Sequence, residues 1–194
     1  ITNTAFPGAY NWKAPATLDC CDDFFVMPHA DPVWATHSRL FSWNLDCKGS
    51  IWAACHATSA LENMVNPANR TQQTNFLTKK VAGLQGTSGN YAQSNSLILW
   101  GSHSGGSIPY VHQYPNDIVA QYLGPTDLAH QNGSEQIDVP NQSATGGWNP
   151  GAKIIAYDPT QANVPVLRPD KSNAAAVIVY GRGFDDPARG FVMY

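Results

Sequence analysis

The sequence predicts an α/β domain built on a largely parallel sheet. Short apolar runs alternate with longer segments of helical periodicity, as expected for strands joined by crossover helices. The breakers between them are sharp: Pro28, Lys48-Gly49 and Asn66-Pro67 each stand where one element must give way to the next. The last third is strand-rich, so an antiparallel edge is expected there. At 194 residues the chain is long enough to bury a sizeable core as a single domain, residues 1–194.

The elements follow in order. Residues 1–19, rich in Pro, Thr, Asn and Ala, read as an extended lead-in. Asp23-Phe24-Phe25-Val26-Met27 is a short continuous apolar run stopped by Pro28, which suits a buried strand. Asp31-Pro32 opens the first helix, with Asp31 as its cap and Pro at the first helical position. Trp34, Leu40 and Phe41 give that helix an apolar face, His37 lies on its surface, and it ends near Asn44. Residues 50–54 form a second buried strand, and 58–65 a second helix closed by Asn66-Pro67. A short helix is expected over 72–81 and a loop over 82–96. Residues 97–100 form the third strand, 116–123 a further helix, and 153–157 and 175–180 the fourth and fifth strands. Gly190-Phe191-Val192-Met193-Tyr194 starts a last strand, whose backbone and large side chains are expected to need cover from elsewhere.

Composition narrows the function classes. Charged residues make up 13% of the chain, against about 25% in ordinary globular proteins. Asn, Gln, Ser and Thr replace them, beside many Trp and Tyr, a surface that leans toward secretion. With a net charge of −3 and scattered Lys and Arg, the chain lacks the basic face that a sequence-general nucleic-acid binder needs. No apolar run is long enough to span a membrane. The four cysteines, Cys20, Cys21, Cys47 and Cys55, suggest disulfides in an oxidising compartment. Adjacent Cys20 and Cys21 rarely bond each other, so each would reach Cys47 or Cys55. A single disulfide beside two buried thiols is the plainer reading. No CxxC spacing supports a structural zinc site.

Chemistry has three candidate positions. Ala53-Ala54-Cys55-His56-Ala57 lies between a strand and a helix with small residues flanking the thiol, the logic of a nucleophile elbow. Such a thiol is expected at the carboxyl edge of the sheet, and buried Cys packing is the bland alternative. Ser102-His103-Ser104-Gly105-Gly106 follows a strand as a Gly-rich loop where ligands of open α/β sheets bind. Ser102, Ser104, Gly105 and Gly106 are its ligand-binding candidates, through an anion nest of backbone N–H groups. Asp22, Asp23, His29 and Asp31, with His37 nearby, mix carboxylate and imidazole as a divalent metal site would.

The run from Asp22 to His37, with Ile51-Trp52-Ala53-Ala54-Cys55-His56-Ala57, resembles domains of large secreted bacterial surface proteins. Residues 131–136 and 181–190 are similar to later blocks of the same family. The layout of such domains looks like the class I glutamine-amidotransferase-like fold: a flavodoxin-like sheet, helices on both faces, and a Cys at the elbow. Carried over by residue, Cys55 takes the nucleophile's place, with Ala53 and Ala57 where that family usually has glycine. Its catalytic His follows a late strand, and His103 is the substitute base. The resemblance implies an extracellular binding or assembly domain without catalysis, with other parent-chain segments or neighbouring copies as partners. A Cys-dependent hydrolase or amidotransferase-like enzyme centred on Cys55 is the alternative, and a metal-binding extracellular domain the third. No cofactor is expected beyond such a divalent metal. Beginning at Ile1 without Met, the chain reads as a piece of a longer protein.

Overall fold

The structure, a computed structural model, describes residues 14–54, 57–69, 71–79, 98–100, 111–112, 114, 116–118, 136–138, 147–158 and 175–194. One mixed sheet holds eight strands: β1 (Phe24–Met27), β2 (Ser50–Ala53), β3 (Ile98–Trp100), β4 (Val111–His112), β5 (Gln136–Asp138), β6 (Lys153–Asp158), β7 (Ala175–Arg182) and β8 (Phe191–Met193). The helices are α1 (Trp34–Asp46) and α2 (Ala57–Glu62). The strand order is β1-β2-β8-β7-β5-β3, with β6 paired to β7 and β4 to β6. Lys153 to Asp158 run along one edge of β7, so β5 and β8 share its other edge, one at each end.

The α/β class holds, but the sheet is mixed rather than largely parallel. Only β1–β2 and β2–β8 are parallel; every other described pairing is antiparallel. The physical reason is the connections. Helix α1 carries the chain from β1 back to a parallel β2, as a crossover must. Between β7 and β8 lie only residues 183–190, opened by the 3-10 turn Gly183–Asp185, and they reverse the chain. The antiparallel character of the C-terminal third is as expected.

Helices on both faces are not seen among the described residues. Leu40 and Trp43 of α1, and Ala57, Ala60 and Leu61 of α2, share one buried cluster with Ile51, Ala53 and Val192. Those strand residues all point to the same side, so both helices cover that side alone. Gly49 lets the fully buried Trp43 ring lie against the start of β2, where an added Cβ would sit 2.1 Å from the ring. Trp43 donates its indole N–H to the Asp19 carbonyl at 2.8 Å. Nearby, the Cys20–Cys47 disulfide ties the segment before β1 to the end of α1.

Three local expectations are corrected. Helix α1 begins at Trp34, and the residue before it is Val33 without a side-chain cap, so Asp31 does not cap it. His37 Nδ1 instead lies 3.0 Å from the Val33 carbonyl, and burial lowers the pKa of the half-buried ring. The helix expected over 72–81 is absent from its described part, residues 72–79, where 73–78 are buried in irregular backbone. Long-range partners replace the helical ladder there. Thr74 N–H bonds Met64 O at 3.0 Å and Phe76 N–H bonds Leu61 O at 3.2 Å, while Leu77 and Thr78 N–H bond the Glu62 carboxylate at 2.7 and 3.0 Å. Finally, the strand at 191–193 is covered on both edges, by β2 and β7, with Val192 and Tyr194 buried. Its apolar character belongs to the middle of the sheet.

Candidate functional site

The side of the sheet opposite the helices presents apolar side chains to solvent. Alternation along β1, β2 and β8 sends Phe24, Val26, Trp52 and Phe191 outward while Met27, Ile51, Ala53 and Val192 go inward. The four outward residues keep 56%, 44%, 36% and 42% of their surface exposed, more than lone surface apolars require. Register arranges them in rows. One row runs Val26, Trp52, Met193, Tyr180 and Lys153 across five strands. The other begins at Phe24 beside Ser50, and the same register sets Ser50 beside Phe191 and Phe191 beside Arg182. Ser50 is the small member of its row, between Phe24 and Phe191.

The rings are held by cations and by each other. The Arg182 guanidinium stacks 3.7 Å from the Phe191 ring centroid and donates to the Arg189 carbonyl at 2.8 Å. The Tyr180 and Phe191 centroids lie 6.1 Å apart. Polar groups close the β6–β7 end of the face. Lys153 Nζ lies 3.1 Å from Asp117 Oδ2, and the Tyr180 hydroxyl donates to Asp117 at 2.9 Å. The Asp117 hydrogen bond holds the Lys153 ammonium above its ordinary pKa. Burial, then Asp117, pushes the Tyr180 phenol up. The face thus offers π surface at one end and fixed hydrogen-bonding groups at the other.

The residues singled out from sequence are placed differently. Cys55, His103, Ser102, Ser104, Gly105 and Gly106 lie outside the described residues. The elements flanking Cys55 are the expected strand and helix, since β2 ends at Ala53 and α2 opens at Ala57. Asp22 accepts the Asp19 N–H at 2.9 Å, and the Asp23 carbonyl accepts the Ser50 N–H at 2.9 Å where β1 and β2 begin. His29 and Asp31 occupy the link from β1 to α1. Among the described residues, no three or more His, Cys, Asp or Glu side chains gather as a group able to hold a metal ion. No helix among the described residues is long and apolar enough to cross a membrane.

Sequence reasoning misses the aromatic face because a strand apolar on both sides reads as buried on both sides. The available signal was Ser50 two residues before Trp52, a polar residue on the same side as the Trp. The chain was compared with protein-family models, curated proteins and solved structures, and no match was found in any of the three.

Proposed function

We propose that this chain is an extracellular, non-catalytic binding or assembly domain of a large secreted bacterial surface protein. The exposed cluster of Phe24, Val26, Trp52 and Phe191 on three neighbouring strands carries the reading, because apolar side chains gathered in water rather than scattered singly favour an interaction surface. The Cys20–Cys47 disulfide supports an oxidising location. Among the described strands the sheet order ends at β1, a strand edge that would suit self-association.

The test is sedimentation of the purified chain with washed bacterial envelopes, together with analytical ultracentrifugation of the chain alone. Retention on envelopes or self-association that disappears in a Trp52→Ser, Phe191→Ser variant is the expected result. A wild-type chain that neither sediments with envelopes nor self-associates would overturn the reading, as would a double variant that behaves like wild type.

A further inference from the structure

We propose that Asn69 of the folded chain is the acceptor for an N-linked glycan, held at the tip of the 65–73 loop with the Thr71 hydroxyl bonded to its side-chain amide. The aromatic face plays no part in this.

The sequence supplies the first condition. Asn69-Arg70-Thr71 is an Asn-X-Thr triplet whose middle residue is not proline, the pattern read by enzymes that attach sugar to asparagine. Two more triplets of this kind, Asn132-Gly133-Ser134 and Asn141-Gln142-Ser143, lie outside the described residues. Triplets also arise by chance in a chain rich in Asn, so exposure and local geometry separate a usable one from the rest.

Exposure comes from how the loop is built. It follows α2 and leads into the buried 73–78 segment. Val65 forms an antiparallel bridge with Gln73, and the Asn66 N–H bonds the Gln72 carbonyl at 2.9 Å. The Asn66 side chain donates to Gln72 Oε1 at 2.7 Å and accepts the Ala68 N–H at 3.0 Å. The two ends of the loop are thus tied together, while Pro67, Ala68, Asn69 and Thr71 at its tip are exposed. Asn44, Asn63 and Asn75, by contrast, are buried beyond the reach of an enzyme.

Geometry then orients the amide. Asn69 Oδ1 accepts the Thr71 N–H at 3.2 Å and the Thr71 hydroxyl at 2.7 Å. A backbone N–H can only donate, so the amide oxygen is the atom that meets Thr71. Nδ2 is left over, and among the described residues nothing accepts a hydrogen from it. The Asn69 carbonyl accepts the Gln72 N–H at 2.9 Å, which closes the turn.

The same geometry bears on reactivity. An amide nitrogen is a poor nucleophile because its lone pair is shared with the carbonyl. When Nδ2 gives up a proton, negative charge gathers on Oδ1, where two Thr71 donors already point. The glycosyl donor is a sugar esterified to diphosphate at its anomeric carbon, carried on a lipid or a nucleotide and delivered by a separate transferase. Nδ2 attacks that carbon: the N–C bond forms, the C–O bond to phosphate breaks, and the diphosphate leaves with the electron pair. The Nδ2 proton passes to a base of the transferase, and nothing is oxidised or reduced.

The experiment is peptide mass mapping of the protein recovered from its own cells and of the purified, disulfide-intact chain treated with each donor. One arm supplies a nucleotide-diphosphate hexose with a soluble transferase that reads Asn-X-Thr. The other supplies a lipid-diphosphate oligosaccharide with a membrane transferase. The peptide carrying Asn69 should gain sugar in the cell-derived protein and in at least one arm, and the arm that works identifies the carrier. Asn69→Gln should abolish the gain, Thr71→Ala should slow it at least about tenfold, and Thr71→Ser should retain most of it. Unchanged near-ultraviolet circular dichroism in the variants keeps loss of folding out of the result. Cell-derived protein without sugar on Asn69 overturns the inference, as does failure in both arms. Modification that Thr71→Ala leaves at full rate, or that occurs only on chain unfolded in urea, overturns it equally.

Discussion

Tyr194 donates its phenolic hydrogen to the buried carboxylate of Glu62, joining the residue after β8 to the end of α2 beneath the sheet. The same carboxylate accepts the N–H groups of Leu77 and Thr78 and, at 2.5 Å, the Thr78 hydroxyl. Four donors from two distant segments thus meet on one side chain. Without it, two buried backbone N–H groups of the irregular 73–78 segment would lose their acceptor, at about 1–3 kcal/mol each.

The first prediction concerns pH. Burial lifts the Glu62 carboxyl from 4.5 to about 7, with its four hydrogen bonds pulling the other way. The folded chain therefore holds this proton more tightly than the unfolded chain. That stabilisation is complete below the unfolded value and is lost as pH rises through the folded one. Over pH 4.5 to 7 the Glu62 contribution should fall by about 3 kcal/mol, at about 1.4 kcal/mol per unit. Urea unfolding midpoints measured across this window should decline for the wild type and stay nearly level for Glu62→Gln. Equal slopes in the two proteins would refute the assignment.

Tyr194→Phe removes one donor and keeps the ring. Because the tyrosine bond favours the ionised carboxylate, its loss should raise the Glu62 pKa further. Stability at pH 8 should drop by about 1–3 kcal/mol, and by less at pH 5. Carbon-13 NMR of the labelled Glu62 carboxyl would follow the titration directly. A midpoint that moves down, or not at all, would contradict this account.

The disulfide and its neighbour give a third test. Cys21 is exposed and free, whereas Cys20 is bonded to Cys47. Iodoacetamide on the native, unreduced chain should modify Cys21 and leave Cys20 and Cys47 unmodified, as read by peptide mass mapping. The paired change Cys20→Ser, Cys47→Ser should cost about 3 kcal/mol, set by the loop of 27 residues that the bond closes. Modification of Cys47 without a reductant would disprove the pairing.

Gly49→Ala should be far more damaging than a larger change at the exposed Ile118. The new methyl would overlap the Trp43 ring, which has no space to retreat, for an expected cost of about 1–3 kcal/mol. Ile118→Ala, at a side chain that is 74% exposed, should stay within about 0.5 kcal/mol. Thermal unfolding of the two variants side by side would show this, and a larger loss at Ile118 would refute it.

Strands were legible where apolar runs met hard breakers. Phe24 to Met27 before Pro28, and Ser50 to Ala53 after Gly49, fall where the sequence places them. β4 and β5 were not legible, because two- and three-residue strands carry no period of their own. The segment 73–78 misleads because its order comes from Glu62, Met64 and Leu61, partners that no local pattern reveals. Burial of Glu62 was equally hidden, since an acidic residue in a helix reads as solvated by default. The candidate face was hidden by the composition of its own strands, which gives no sign of which side lacks a cover. Met193 and Tyr194 show the limit from the other side: their apolar run was visible, and their place between β2 and β7 was not.

Ile51 pairs with Val192, and through that pairing the earliest part of the sheet meets the latest. β1 and β2 form a local parallel unit around α1, and β6 and β7 a local antiparallel ladder, and among the described strands only β8 pairs with both units. Until residues 191–193 have been synthesised, β2 and β7 each present a bare edge with nothing between them. Contacts so remote in sequence form slowly, because the long loop must close before they repay its entropy. Until β8 is in place the two units therefore remain unjoined in the sheet, with bare flanks open to pairing with the wrong chain.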